Sequence, residues 1–203
     1  IDDTESPKKP DAIFPNNWIS FHANGAIITY PMYAQNRRIE RRDDIISKIG
    51  EKFNIKNRYC FEFYEDDSEP IFLEGTGSMI LDRSNQIVYA CLSPRTSPIL
   101  LDKFNVLMGM KSCVFKSLDR HGKEIYHTNV MMALGVDFVV ICMESIPDEN
   151  SKKQLQALFE KTGKEIVEIT FDQMEAYAGN MLEVIANNGQ RYLCMSQSAF
   201  DSL

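Results

Sequence analysis

The stretch LEGTGSMILDRSNQIVYACLS, residues 73–93, decides how the chain reads, because its plan occurs four times. It opens on a bulky apolar residue, followed by one variable residue, a small polar pair and a short apolar strand. The turn Arg83-Ser84-Asn85 comes next, then a second strand rich in β-branched and aromatic residues that ends at Leu92. FPNNWISFHANGAIITYPM (residues 14–32), YHTNVMMALGVDFVVICMES (126–145) and YAGNMLEVIANNGQRYLCMSQ (177–197) repeat it, with turns at Ala23-Asn24-Gly25, Gly135-Val136-Asp137 and Asn187-Asn188-Gly189. Asn-Gly between two such runs is a strong hairpin signal. Aligning Asn17, Thr76, Asn129 and Asn180 gives spacings of 59, 53 and 51 residues, regular enough to define a repeat.

Helix-period segments follow the first three hairpins. Residues 36–53 place Ile39, Ile45, Ile46, Ile49 and Phe53 on one face, and residues 98–110 and 151–162 are shorter. Each leads into a further strand: YCFEFYE, CVFKSL or EIVEITF. The unit is hairpin, helix, strand, which predicts an α/β protein with mixed sheet against an outer layer of helices.

Composition bounds the function. The 203 residues are 44% hydrophobic and 25% charged, as in a soluble globular domain, and the net charge of −7 argues against a nucleic-acid surface. The longest apolar runs are about eight residues, where a bilayer span needs roughly 20. Five cysteines form no CxxC pair, so free thiols in a reducing cytoplasm are expected. The polar opening IDDTESPKKPD, without Met, and the ending FDSL both read as cut ends.

Three of the cysteines, Cys91, Cys142 and Cys194, occupy one slot of the repeat, 51 and 52 residues apart. A nucleophile needs one special electropositive pocket, whereas a residue recurring in every unit is a small buried filler. Cys194 is therefore expected to fill space.

The variable second positions are Pro15, Glu74, His127 and Ala178. If the units surround an axis, Glu74 and His127 converge on one central cavity. A carboxylate there would hold the imidazole in one tautomer and keep it protonated near neutral pH, as a general acid requires. The alternative is a capping Glu and a satisfied core His. His22 and His121 stand beside turn residues and are expected to be solvated. The three histidines show no zinc spacing, so no metal is expected, and LEGTGS follows neither nucleotide-binding pattern. NRRIERR carries four arginines at a helix start, against the macrodipole, which hints at an anion to bind. Arg95, in the loop LSPRTS, suits bidentate carboxylate recognition.

PDAIFPNNW, YPMYAQNRRIERR, LEGTGSMILD, ACLSPRTS, YHTNVMMAL and YAGNMLEV together resemble the guanidine-modifying, or pentein, superfamily of arginine deiminases, dimethylarginine dimethylaminohydrolases and amidinotransferases. The nearest branch by these motifs is the bacterial amidinotransferase-like proteins named as citrulline-utilisation hydrolases. The resemblance implies a β/α propeller of five pseudo-symmetric ββαβ units with the active site at its centre. Residues 1–203 would be a single catalytic domain showing four of the five, and the nucleophilic cysteine would lie beyond Leu203.

Matched to the family's motifs, Glu74 would partner the histidine and His127 would be the general acid/base. Asn17 would face the substrate's guanidino group, and Asn129 stands two residues after the histidine. Arg38 and Arg95 would hold the substrate's α-carboxylate. The family has Asp where this chain has Asn17 and Asn129. An amide, both donor and acceptor, suits a neutral ureido group better than a cationic guanidinium. The expectation is a hydrolase of a citrulline- or arginine-like amino acid acting through a covalent thiol intermediate. Amidino transfer to an amine and a non-catalytic binding scaffold are the alternatives. No cofactor, nucleic acid or membrane is implied. The location is cytoplasmic, the partner is a small amino acid, and the sequence leaves a homo-oligomer open.

Overall fold

Each repeated segment folds as an antiparallel hairpin. In the computed structural model, which describes residues 6–203, β1 (Ile19–Phe21) pairs with β2 (Ala26–Thr29), Ile19 opposite Thr29. β3 (Asn57–Cys60) joins β2 in parallel. β4 (Ile80–Asp82), β5 (Ile87–Cys91) and β6 (Lys111–Phe115) repeat this topology, as do β7 (Met132–Leu134), β8 (Phe138–Ile141) and β9 (Glu165–Glu168). β10 (Leu182–Ile185) and β11 (Arg191–Cys194) make a two-stranded sheet. The helices Asp43–Gly50, Pro98–Met108 and Glu149–Lys161 carry the chain from the second to the third strand of the first three units. The molecule is thus mixed α/β, built on four small sheets.

The turn chemistry explains the first hairpin. Gly25 sits at φ +85° and donates its N–H to the His22 carbonyl at 2.9 Å, while the Asn24 carboxamide accepts from Ala26 N at 3.0 Å. A left-handed residue after Asn is the geometry that turns two twisted strands back on each other. The middle strands β2, β5 and β8 have a neighbour on either side, and they read as unbroken apolar runs for that reason.

The core is interleaved. On β5, Val88 and Ala90 point to one cluster, where Leu100, Leu101 and Phe104 meet Ile28 and Tyr30 of the preceding unit. Tyr89 and Cys91, of opposite parity, point to another, with Leu155 and Phe159 of the following unit's helix. The Tyr89 and Phe159 rings lie 5.2 Å apart. A helix therefore fills the gap between its own sheet and the one before it, and the period of two along the strand makes that wedge continuous.

Two expectations are corrected. Residues 36–53 do not form one helix: it breaks into Gln35–Arg38 and Asp43–Gly50, leaving Ile39 and Phe53 exposed. Buried Glu65 lies at the break: Arg41 reaches back to it and to the Tyr30 carbonyl, and a continuous helix would carry that guanidinium away. Arg37 forks onto Glu40 at 2.9 Å through both Nε and Nη2, an i,i+3 pair that a helical turn brings together. Cys194 is exposed, although Cys91 and Cys142, its counterparts in the repeat, are fully buried. Among the described residues no helix packs on β10 and β11 as the helices Pro98–Met108 and Glu149–Lys161 pack on the sheets of their units, so the slot is the same and the burial differs.

Candidate active site

The residues just before β1, β4 and β7 form short helical turns: Pro15–Asn17, Gly75–Ser78 and Thr128–Met131. The middle turn packs against both others. Gly75, at φ +46°, permits this, since a Cβ there would lie 2.1 Å from the Asn16 carbonyl oxygen. Thr128 Oγ1 donates to the Ser78 carbonyl at 2.5 Å and locks the second and third turns together. Glu74 and His127 are the N-cap residues of these two turns, and so they are brought face to face.

Glu74 is fully buried and His127 nearly so. His127 Nε2 lies 2.6 Å from Glu74 Oε2. The other carboxylate oxygen accepts the Tyr33 backbone N–H at 2.9 Å, and Arg95 Nη1 approaches Oε2 at 3.3 Å. Burial works against ionisation of Glu74. The hydrogen bond and charge of His127, the Arg95 cation and the Tyr33 amide outweigh it and hold the carboxyl below its ordinary pKa. An ionised Glu74 only accepts, so a neutral His127 carries its proton on Nε2 and presents Nδ1 as a lone pair.

His127 itself is shifted down. Desolvation is the main cause, and although Glu74 pulls the other way, Arg95 and Arg37 add to the depression. Glu74 was expected to favour the protonated imidazole; burial and two guanidinium groups act in the opposite direction.

Gly77 defines the open side of the imidazole. A Cβ on Gly77 would stand 3.0 Å from His127 Nδ1 and Cε1 and 3.1 Å from Asn17 Nδ2. The Asn17 amide and the lone-pair face of His127 thus flank one small gap. Asn17 is buried, and its side chain makes no hydrogen bond among the described residues. Asn129 is half-buried, on the turn that follows His127.

Arg95 lies between the rings of Tyr33 and Tyr126, at 5.7 and 5.0 Å from their centroids, and the Tyr126 ring meets His127 at a tilt, 4.9 Å away. Arg38 is farther along the same aromatic row, over Phe72, which meets Tyr33 edge-on at 5.2 Å. Its Nε donates to the Met32 carbonyl at 3.0 Å and lies 3.7 Å from Glu65. The arginines of residues 36–42 are answered by the chain's own carboxylates: Arg37 by Glu40, Arg38 and Arg41 by Glu65, Arg42 by Asp44. Each of the four thus has a carboxylate of the chain itself within 4 Å.

Sequence reading missed Tyr33, Tyr126, Gly77 and Arg37. Tyr126 adjoins His127, and Gly77, Tyr33 and Arg37 lie within quoted motifs, so proximity pointed to all four, but no role was given to any of them. It also misjudged His22, which is buried rather than solvated. Ser20 Oγ bonds His22 Nε2 at 2.8 Å and Tyr30 OH at 2.7 Å, and Arg83 meets His22 Nδ1 at 3.0 Å. The edge strand β1 carries His22 under the ring of Phe104, 5.9 Å away.

Cys91 and Cys113 are pushed up to about 11 by burial, which keeps both thiols protonated. Cys142 is raised by the same cause. Among the described residues no group of three His, Cys, Asp or Glu side chains could hold a metal, and no helix is long and apolar enough to cross a membrane. A pocket of about 900 Å³ lies elsewhere, bounded by Trp18, Ile19, Ile45, Ile49 and Arg83, and it includes neither Glu74 nor His127.

The fold is similar to solved structures at low identity. The N-terminal domain of ArgZ, an arginine dihydrolase from the ornithine–ammonia cycle in cyanobacteria, solved bound to substrate, superposes with a TM-score of 0.64 and 14% identity, covering 88% of this chain and 64% of that one. AgrE in binary complex with L-arginine gives 0.66 at 14% identity, over 96% and 28%. A dimethylarginine dimethylaminohydrolase adduct with S-methyl-L-thiocitrulline gives 0.59 at 16% identity, over 92% and 63%. The chain spans less than two thirds of each of these structures. No curated protein matches the chain. The model of one family, N,N dimethylarginine dimethylhydrolase of the eukaryotic type, matches residues 1–203 throughout, and the chain belongs to that family and so to the pentein superfamily of guanidino-modifying enzymes.

Proposed function

We propose that residues 1–203 form a catalytic domain of the β/α propeller kind, four of whose five units are these hairpins with their helices. It would carry the acid–base half of a site that hydrolyses a carbon–nitrogen bond of a guanidino or ureido amino acid. The observation that carries this reading is the 2.6 Å contact between His127 Nε2 and the buried Glu74 carboxylate, with Nδ1 and the unpartnered Asn17 amide both bordering Gly77. An orienting carboxylate, an imidazole with a defined lone pair and a polar group facing the reacting carbon make up a hydrolytic constellation.

A thiolate would add to the central carbon of the substrate. The imidazolium would give its proton to the departing nitrogen as the carbon–nitrogen bond breaks. Neutral His127 would then take a proton from water, which attacks the thioester-like intermediate and expels the thiolate. Arg95 and Arg38 would hold the α-carboxylate. Asn17 supplies a donor and an acceptor where a carboxylate would suit a guanidinium better, which favours a ureido group such as that of citrulline. The attacking thiolate would come from outside residues 1–203: Cys91, Cys113 and Cys142 are buried with raised pKa values, and among the described residues none of the five cysteines, Cys60 and Cys194 included, is hydrogen-bonded to His127.

Turnover of citrulline, arginine and N,N-dimethylarginine by the protein tests the reading. His127→Ala should abolish it with the fold intact by circular dichroism; activity that survives refutes the assigned role. The placement of the cysteines also favours a second reading, a binding scaffold. Calorimetric binding of one of these amino acids, without turnover of any by the full-length polypeptide, would select that alternative. Release of the amidino group to added ornithine or glycine instead of water would mark a transferase.

A further inference from the structure

Glu74 Oε2 is shared: it takes His127 Nε2 at 2.6 Å and Arg95 Nη1 at 3.3 Å. We propose that Arg95 gates the proton affinity of His127, releasing Glu74 and making the imidazole more basic when a ligand α-carboxylate engages the guanidinium. The proposal rests on the reading of the site as one for an amino acid.

The Arg95 backbone cannot follow such a movement. Its carbonyl accepts from Glu74 N at 3.2 Å and from Ser78 Oγ at 2.7 Å, and its N–H is bonded to Ser93 Oγ, which also donates to the Tyr126 carbonyl. Only the side chain is free to turn. Its head lies between Tyr33 and Tyr126, rings about half exposed, and its side chain is 26% exposed where that of Glu74 is 0%. An anion from solution can therefore reach Arg95 but not Glu74.

The groups facing His127 come from four places. Glu74 stands before the second turn, Arg95 in the loop after β5, Arg37 on the first short helix, and neutral Asn17 and Tyr126 complete the surround. Arg37 is already forked onto Glu40. Arg95 alone of the two cations both touches Glu74 and is open to a ligand. Neutralising it removes a positive charge that opposes the imidazolium and returns Oε2 to His127 alone, and desolvation by the ligand strengthens that pairing. A proton is then taken from solvent onto Nδ1. Burial lowers the proton affinity of the unliganded imidazole most, and Arg95 and Arg37 add to it. The acid needed for the leaving nitrogen would be made only when substrate is seated.

The test follows the His127 ring by NMR titration of the full chain. L-norvaline supplies the zwitterionic head without a reactive group, and n-butylurea supplies a ureido group without a carboxylate. Norvaline should move the His127 midpoint upward and n-butylurea should not, and calorimetry in buffers of different ionisation enthalpy should show proton uptake with norvaline alone. Arg95→Met should raise the midpoint without ligand and abolish the response to norvaline, while Arg95→Lys, which keeps the cation, should retain a low midpoint. Norvaline bound with an unmoved midpoint overturns the gate, as does an unmoved midpoint in Arg95→Met. Failure of norvaline to bind removes Arg95 as a carboxylate site and the gate with it. The assignment of Glu74 and His127 is judged separately, by the turnover assays.

Discussion

Two buried histidines, His22 and His127, occupy the same molecule and meet different fates. Both lie close to the first strand of a hairpin, and both have proton affinities lowered chiefly by burial. His22 has both ring nitrogens engaged, by Ser20 and by Arg83, and no charged acceptor among its partners. His127 spends one nitrogen on a buried carboxylate and leaves the other beside an unpartnered amide. A depressed pKa therefore does not distinguish a site from a satisfied core group here. The open valence does, because a group with its hydrogen bonds complete gains little from meeting a ligand.

Four substitutions would sharpen or break this contrast. The largest effect is expected from Glu74→Gln, which keeps the shape of the pair but removes its charge. In the active full-length protein kcat should fall by roughly 10²–10⁴-fold, the usual scale of a general acid–base contribution, whereas His22→Gln should leave kcat within error. Comparable losses in both would erase the distinction.

The second concerns stability against pH. Because His22 falls from 6.5 to about 4 on folding, its contribution is complete above pH 6.5 and is lost as pH drops through 4. That amounts to about 3 kcal/mol at most. Denaturant titrations of wild type and His22→Gln should diverge across this window, with the variant less sensitive to acid; parallel curves would contradict the assignment. His127 and Glu74 shift in the same direction, so the difference between the two proteins is the quantity to read.

Gly77→Ala comes third. Its new methyl would press on His127 Nδ1 and the Asn17 amide, and a displacement of about 1 Å at a reacting group costs roughly a hundredfold in rate. The melting temperature should change much less than kcat. Activity equal to wild type would show that the gap beside Nδ1 is not used.

The smallest effect is expected from Ser20→Ala. It strips the buried Tyr30 hydroxyl and His22 Nε2 of a shared partner, for a loss of about 1–3 kcal/mol in a chemical denaturation experiment and none in catalysis.

Much of this contrast was legible beforehand. The repeat placed Glu74 and His127 at equivalent stations, and the hairpins form at the Asn-Gly and related turns, because a period of two and a left-handed turn residue are local properties. His22 was not legible. Its neighbours Ala23, Asn24 and Gly25 announce a surface turn, yet the strand's other end buries it under a helix some 80 residues away in the chain. The break in residues 36–53 was equally hidden, since the carboxylate that draws Arg41 away is Glu65, in the turn after β3. Cys194 shows the reverse limit: the repeat identified its slot, but burial depends on what is packed above it.

By itself the sequence determined the unit, the order of its elements and the pair Glu74 and His127 at equivalent positions of two units. Those follow from short-range periodicity and from a register that copies itself along the chain. The protonation of His127, the internal pairing of the arginines, the grip of the Tyr33 amide on Glu74 and the place of Arg95 on a shared carboxylate oxygen were decided only by the tertiary structure. Each depends on desolvation and on charges brought together from segments tens of residues apart, and neither quantity exists until the sheets and helices have closed around them.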